Sequence, residues 1–368
     1  NQTSEFGGAL GLVSQFLFDQ ENVSRLDKTV SDDQFNGIVL TPEVNNGGSV
    51  ETGTTGGDND IIVADRAELL QGAFIDGGGG NNTLSVSMQG AFAQPFQLQN
   101  IQKIEVQNAP NVYDADETLP TDGAGNLSNN TGFNVPLPST APTGTESVLD
   151  LTRAESLETL TLNENAFSVG ANQGVGALTV AGINNGVTAH LTDSFTQDIN
   201  LHYGFGGGAQ VDLELADVNV RDGASLSVAH NSPTLNIASM GQGSENYVGE
   251  GDFGADGLRE LNISGDTYLK IDDTIDFIGG QPATIDASAN TGGVKLFVDH
   301  EAIEITGSQA DDIVTVESTG LTALNIDTGA GEDTVTFSNT GSASISAASG
   351  SVLAGENLTV AVETNTDL

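Results

Sequence analysis

Five short phrases recur at one phase along the second half of the chain: Leu235-Asn236-Ile237-Ala238-Ser239, Leu261-Asn262-Ile263-Ser264-Gly265, Thr284-Ile285-Asp286-Ala287-Ser288, Glu304-Ile305-Thr306-Gly307-Ser308 and Leu324-Asn325-Ile326-Asp327-Thr328. A sixth, Ser344-Ile345-Ser346-Ala347, follows. Their central isoleucines are 26, 22, 20, 21 and 19 residues apart, so the spacing settles near twenty. Between them lie second apolar runs, Leu269-Lys270-Ile271, Val294-Lys295-Leu296-Phe297-Val298, Ile313-Val314-Thr315-Val316 and Val335-Thr336-Phe337. Two short strands and two turns in each period describe one coil of a parallel β-solenoid, which buries its apolar face only by stacking on its neighbours. An antiparallel sandwich is the alternative for many short, evenly spaced strands. The constant phase of the phrase favours the solenoid, because equivalent side chains then stack in rows. Ile237, Ile263, Ile285, Ile305 and Ile326 are expected in one interior row, with coils about 4.8 Å apart.

The fold class expected is therefore all-β, a parallel solenoid with coils of about twenty residues. Residues 1–48 differ from the rest. Phe6, Leu10, Leu12, Val13, Phe16, Leu17 and Phe18 cluster at helical spacing and predict a short capping or docking helix, followed by a loop through Asn45-Asn46-Gly47-Gly48. Residues 49–107 carry the first solenoid coils. Residues 108–147 hold Pro110, Pro120, Pro136, Pro138 and Pro142 among Asn, Gly and Thr, which marks an insertion or linker. Residues 148–368 form the main solenoid.

Charge narrows the function classes. The 368 residues include 51 acidic and 9 basic ones, a formal net charge of -42. Nucleic acid and anionic lipid need Lys and Arg to neutralise phosphate, so neither is an expected partner. The absence of Cys excludes disulfides, zinc-thiolate sites and thiol nucleophiles. No run reaches the ~18–20 apolar residues of a membrane span. Asn1 stands where an initiator Met would, so the chain is expected to be a processed form or a part of a longer one. With 47 Gly, only 16% charged residues and no Trp, the composition suits a turn-rich extracellular β protein.

A second internal match joins distant parts of the chain. Asp60-Ile61-Ile62-Val63 is followed by Ile75-Asp76-Gly77-Gly78-Gly79-Gly80-Asn81-Asn82-Thr83, and Asp312-Ile313-Val314-Thr315 by Ile326-Asp327-Thr328-Gly329-Ala330-Gly331-Glu332-Asp333-Thr334. In both copies the step from Asp to Thr is seven residues. Carboxylates gather beside glycines in such places: Asp58 and Asp60, Asp76, Asp272, Asp273 and Asp276, Asp311 and Asp312, and Asp327 with Glu332 and Asp333. Ca²⁺ takes six to eight oxygens from carboxylates and backbone carbonyls, so these eleven residues are its candidate ligands. Any one of them also fits an ordinary turn, where Asp bonds its own backbone.

Gly307-Ser308-Gln309-Ala310-Asp311-Asp312-Ile313 and Gly329-Ala330-Gly331-Glu332-Asp333-Thr334-Val335 resemble degenerate copies of the nonapeptide G-G-x-G-x-D-x-U-x of RTX proteins. The wider texture, from Thr284-Ile285-Asp286-Ala287-Ser288 through Gly292-Gly293-Val294 to Ile305-Thr306-Gly307-Ser308, resembles RTX-type bacterial surface-layer proteins and calcium-binding biofilm adhesins. The resemblance covers roughly residues 150–340 and 56–86. It implies Ca²⁺ between successive turns, here at isolated sites because the nonapeptide is not repeated in tandem. It further implies a bacterial cell-surface or biofilm location.

Enzyme readings find little support. No G-x-S-x-G, H-E-x-x-H or phosphate-cradling loop is present, and His190, His202, His230 and His300 are far apart in sequence. Some β-helices are polysaccharide lyases or hydrolases, and Lys270 and Lys295 lie about one coil apart, so a polysaccharide-active enzyme is the alternative, with a ligand-binding adhesin module as a third reading. The expectation is a non-enzymatic, self-assembling structural subunit whose partners are copies of itself and cell-surface polysaccharide. Its open ends favour contact, with Phe6–Phe18 as one cap and Leu358-Thr359-Val360-Ala361-Val362 left available. Like-charged copies repel, so contact is expected to need screening or bridging Ca²⁺.

Overall fold

In the computed structural model the chain is described over residues 36–39, 49–51, 59–64, 67–88, 92–107, 147–163, 177–195, 197–204, 210–253, 257–317, 323–339, 352–353 and 357–364. Among these, alternation of apolar and polar residues makes short strands, and every strand pairing is parallel. Parallel neighbours need a crossover between them, and here each coil supplies it. Thr284–Asp286 pairs with Glu304–Thr306 in parallel, which excludes the antiparallel sandwich at that step. The molecule is a β-solenoid.

Two faces run its length. The first stacks Asp60–Ala64, Thr83–Ser87, Lys103–Gln107, Thr159–Asn163 and Thr188–Phe195, then the start of Val211–Ala229. It continues through Thr234–Met240, Glu260–Gly265, Ala283–Asn290, Ala302–Thr306 and Ala323–Asp327. The second face runs from Phe92–Ala93 and Ser147–Asp150 to Glu332–Asn339 and Asn357–Thr364. A third, short face of Ser49–Glu51, Phe74–Asp76 and Gln97–Gln99 exists only near the start and ends at the bridge between Leu98 and Ala154. The early coils are thus three-sided, and in later coils Phe195, Val220 and Val248 stack apart from Ile199, Leu226 and Gly251, with a register shift between the two segments.

Between the faces lie continuous rows of buried side chains. Ile62, Leu84, Ile104, Leu160, Ala189, Leu213, Ile237 and Ile263 stack on eight successive coils, none more than 2% exposed. Burying each large side chain contributes about 1.5–3 kcal/mol, so the row holds adjacent coils in register. The five expected isoleucines do not form one row. Ile237 pairs with Ile263, but Ile285 pairs with Leu261 and then with Ile305 and Ile326. Leu235, Leu261, Ile285, Ile305 and Ile326 share one row, and Ile237 and Ile263 share the row two residues on, because the third phrase carries its isoleucine at the place of Leu261; the register shift in that pairing comes later, between Asn262 and Ser264.

Stacking begins before one expected boundary and continues across the expected insertion. Asn36–Val39 pairs with Asp60–Val63, so stacking begins inside the segment assigned to a cap, while the expected helix at Phe6–Phe18 lies outside the described residues. Lys103–Val106 pairs directly with Thr159–Leu162, so the coils before and after the proline-rich segment belong to one stack.

Candidate functional site: the corner turns

The internal match is a match of geometry. In the first copy the chain turns through Gly78 and Gly80, at φ of 70° and 91°, conformations that favour glycine. In the second, Gly329 and Gly331 take φ of 77° and 133° at the same two places. The Asp76 carboxylate accepts from the Gly78 amide at 2.9 Å, and Asp327 from the Gly329 amide at 3.2 Å. Asn81 N–H donates to Asn59 Oδ1 at 2.8 Å, and Glu332 N–H to Asp311 Oδ1 at 2.7 Å. Asp60 N–H donates to Asn82 Oδ1 at 2.8 Å, and Asp312 N–H to Asp333 Oδ1 at 3.0 Å.

The copies differ at the residue that plugs the corner. Asn82 is fully buried, and its amide nitrogen donates to the carbonyls of Gly77 (2.8 Å), Gly79 (3.2 Å) and Asn100 (2.8 Å). Asn246 plugs a middle corner likewise, accepting from Val218 N–H at 2.7 Å and donating to Leu215 O, Met240 O and Ser239 Oγ. Asn290 donates to Ser264 O and Thr267 O while accepting from the Gly292 and Gly293 amides. Asp333 sits 1% exposed in Asn82's place with no N–H to give, and its Oδ2 is buried without a hydrogen-bond partner among the described residues. A buried, unpaired charged oxygen is costly and needs a proton or a cation.

Asp312, also 1% exposed, is engaged on both oxygens. Oδ1 accepts from Val294 N–H at 2.8 Å and Ser308 Oγ–H at 2.6 Å, and Oδ2 from Ser308 N–H at 2.7 Å. Burial pushes its pKa up to about 6 against these donors, and the charge of Asp333 adds to the rise. The nearby Tyr268 hydroxyl is pushed up to about 12, by burial first and then by Asp312, Glu245, Asp272 and Asp311. The corner is a region of concentrated negative potential.

The remaining candidates fall elsewhere. Asp311, Asp327 and Glu332 are exposed on the rims of these turns, Asp76 is half-buried, Asp60 is buried, and Asp58 lies outside the described residues. Asp272, Asp273 and Asp276 were expected on a turn, but they lie within the strand Tyr268–Asp276, whose register shifts between Lys270 and Thr274. Asp272 keeps the outward place after buried Ile271, and the alternation breaks at Asp273. Asp272 meets Lys295 Nζ at 2.5 Å and Lys270 Nζ at 3.2 Å. Partial burial opposes its charge, and bonds from Lys295, Lys270 and Tyr247 outweigh burial to hold the carboxyl below its usual range. Asp273 accepts from Gly251 and Thr274 amides instead.

Among the described residues no three His, Cys, Asp or Glu side chains converge as a metal ligand set. A cation at Asp333 would draw mainly on backbone carbonyls, as Asn82's amide does. Sequence reading missed the asparagine plugs and the Lys270–Asp272–Lys295 cluster. Asn82 and Asn246 follow glycine-containing turns and Asn290 precedes one, yet an inward Asn looks like any turn Asn in text. No described helix is long and apolar enough to cross a membrane. The chain matches no family model, no curated protein and no solved structure.

Proposed function

We propose that this chain is a non-enzymatic structural subunit of an extracellular assembly, a bacterial surface layer, filament or biofilm matrix, stabilised by Ca²⁺ at its C-terminal corner turns. The observation that carries the reading is Asp333 Oδ2, buried without a partner in the place where Asn82 offers an N–H to three carbonyls. Replacing that donor with an oxygen converts a ring of acceptors into an all-oxygen set, the donor chemistry Ca²⁺ prefers. Asp311 and Glu332 are exposed on the rim of the same turn, where Glu332 N–H donates to Asp311 Oδ1. A solenoid of stacked coils suits a structural role because each added copy extends the same parallel pairing, and Asn357–Thr364 is the last described strand of the stack. Copies of the chain and cell-surface polysaccharide are its proposed partners.

Thermal unfolding with millimolar Ca²⁺ and with excess chelator tests the metal, alongside metal analysis of the purified protein. Wild type is expected to melt higher with Ca²⁺ and Asp333→Asn to respond little, because binding to the folded state alone raises stability. Equal melting in both conditions with no bound divalent ion would overturn the calcium reading. Light scattering during Ca²⁺ addition tests assembly separately; a monomer at every concentration overturns it.

A further inference from the structure

The second face carries a cationic strip followed, along the solenoid axis, by an acidic one. Tyr247, Lys270, Lys295, Ile313 and Thr334 stack in register on five successive coils. Lys270 and Lys295, two of only nine basic residues, are held together by Asp272 with side chains 27% and 24% exposed. On the outer edge of the corner beside this row, Gly293 lies against the Tyr268 ring and the Asp311 backbone, and Glu332 follows Asp311 through its amide. Two lysine-bearing coils are thus succeeded by two coils that begin with exposed acids, and Ile313 stands 39% exposed where they meet.

We propose that two copies of the chain pair side by side and antiparallel through this face, about a two-fold axis along the strand direction between the Lys295 and Ile313 coils. Such an axis exchanges the Lys295 coil with the Ile313 coil and the Lys270 coil with the Thr334 coil, making the patch self-complementary. Lys295 meets Asp311 of the second copy and Lys270 meets its Glu332, each pair occurring twice. Ile313 covers the stem of the second copy's Lys295. No metal takes part, so this contact stands apart from calcium-driven assembly.

Salt sets a signature. At 0.01 M salt, where charges act over about 30 Å, two molecules at -42 each repel as wholes. At about 0.15 M the range falls to ~8 Å and the contact charges dominate, whereas at 1 M, with ~3 Å, they too are screened. Association in chelator is therefore expected to be strongest at intermediate salt. Sedimentation equilibrium in chelator should show a dimer there, with K270Q/K295Q weakening it about tenfold. K270E and E332K should each pair poorly with itself but form a mixed dimer, since both contacts are then restored. Ile313→Cys, in a chain with no cysteine, should give one dimeric product with a short bismaleimide. A single-copy mass at every salt concentration would overturn the inference. So would a dimer indifferent to K270Q/K295Q, to charge-reversed mixing and to cross-linking, in variants that melt like wild type.

Discussion

The coils around Asp60–Asn82 and those around Asp312–Asp333 share one turn, down to the two left-handed glycines and the amide that each corner side chain receives from the preceding coil. In the first, the Asn82 amide donates to three backbone carbonyls. In the second, Asp312 uses three donors and still carries a raised pKa, while Asp333 keeps one buried oxygen without a partner among the described residues. At the plug position itself the two corners differ by nitrogen against oxygen, a side chain that donates against one that only accepts.

Asn82→Ala should break the early corner. It strands three carbonyls and one amide in the interior, so a loss of about 3–5 kcal/mol is expected by urea or thermal unfolding, insensitive to Ca²⁺. Acid should separate the two ends next. Asp312 has a folded pKa of about 6, above its unfolded value. Between roughly pH 4 and 6 the folded state therefore binds more protons, and stability falls as pH rises through that window, by about 3 kcal/mol at most. Relief of the -42 charge acts in the same direction, so the measurement is the difference between wild type and Asp312→Asn across pH 4–7.

Asp333→Asn sharpens the comparison from the other side by giving the late corner the chemistry of Asn82. A gain of about 1–2 kcal/mol in chelator is expected, with the calcium response lost; equal melting of variant and wild type in chelator would mean that Asp333 is already satisfied. Lys270→Gln should have the smallest effect on the fold, within about 1 kcal/mol, because Asp272 keeps Lys295 and the group is partly exposed. Chemical denaturation resolves that difference.

Much of this was legible in the residues, for identifiable reasons. The recurring phrase marks the coils because every coil must present an apolar strand to the same interior. The repeated Asp-to-Thr step marks the corner because two left-handed residues and an inward polar side chain occupy fixed places in it. The metal set was less legible. Asp272, Asp273 and Asp276 look like a turn in text, but Tyr268 to Asp276 is one irregular strand, in which lysines take up Asp272 and amides take up Asp273. A carboxylate's partners lie about twenty residues away, on the next coil, and spacing does not say which way the side chain points.

By itself, then, the sequence determined a β-solenoid, its period, the kinship of its two corner turns and its acidity, all consequences of local patterning. Tertiary structure alone decided the register, since the two-residue offset that puts isoleucines in neighbouring rows of the same face leaves the alternation of inward and outward residues intact. It also decided which corner residues are satisfied. Those outcomes depend on packing and hydrogen bonds between coils, where the contacting groups are remote in the chain and only the assembled stack brings them together.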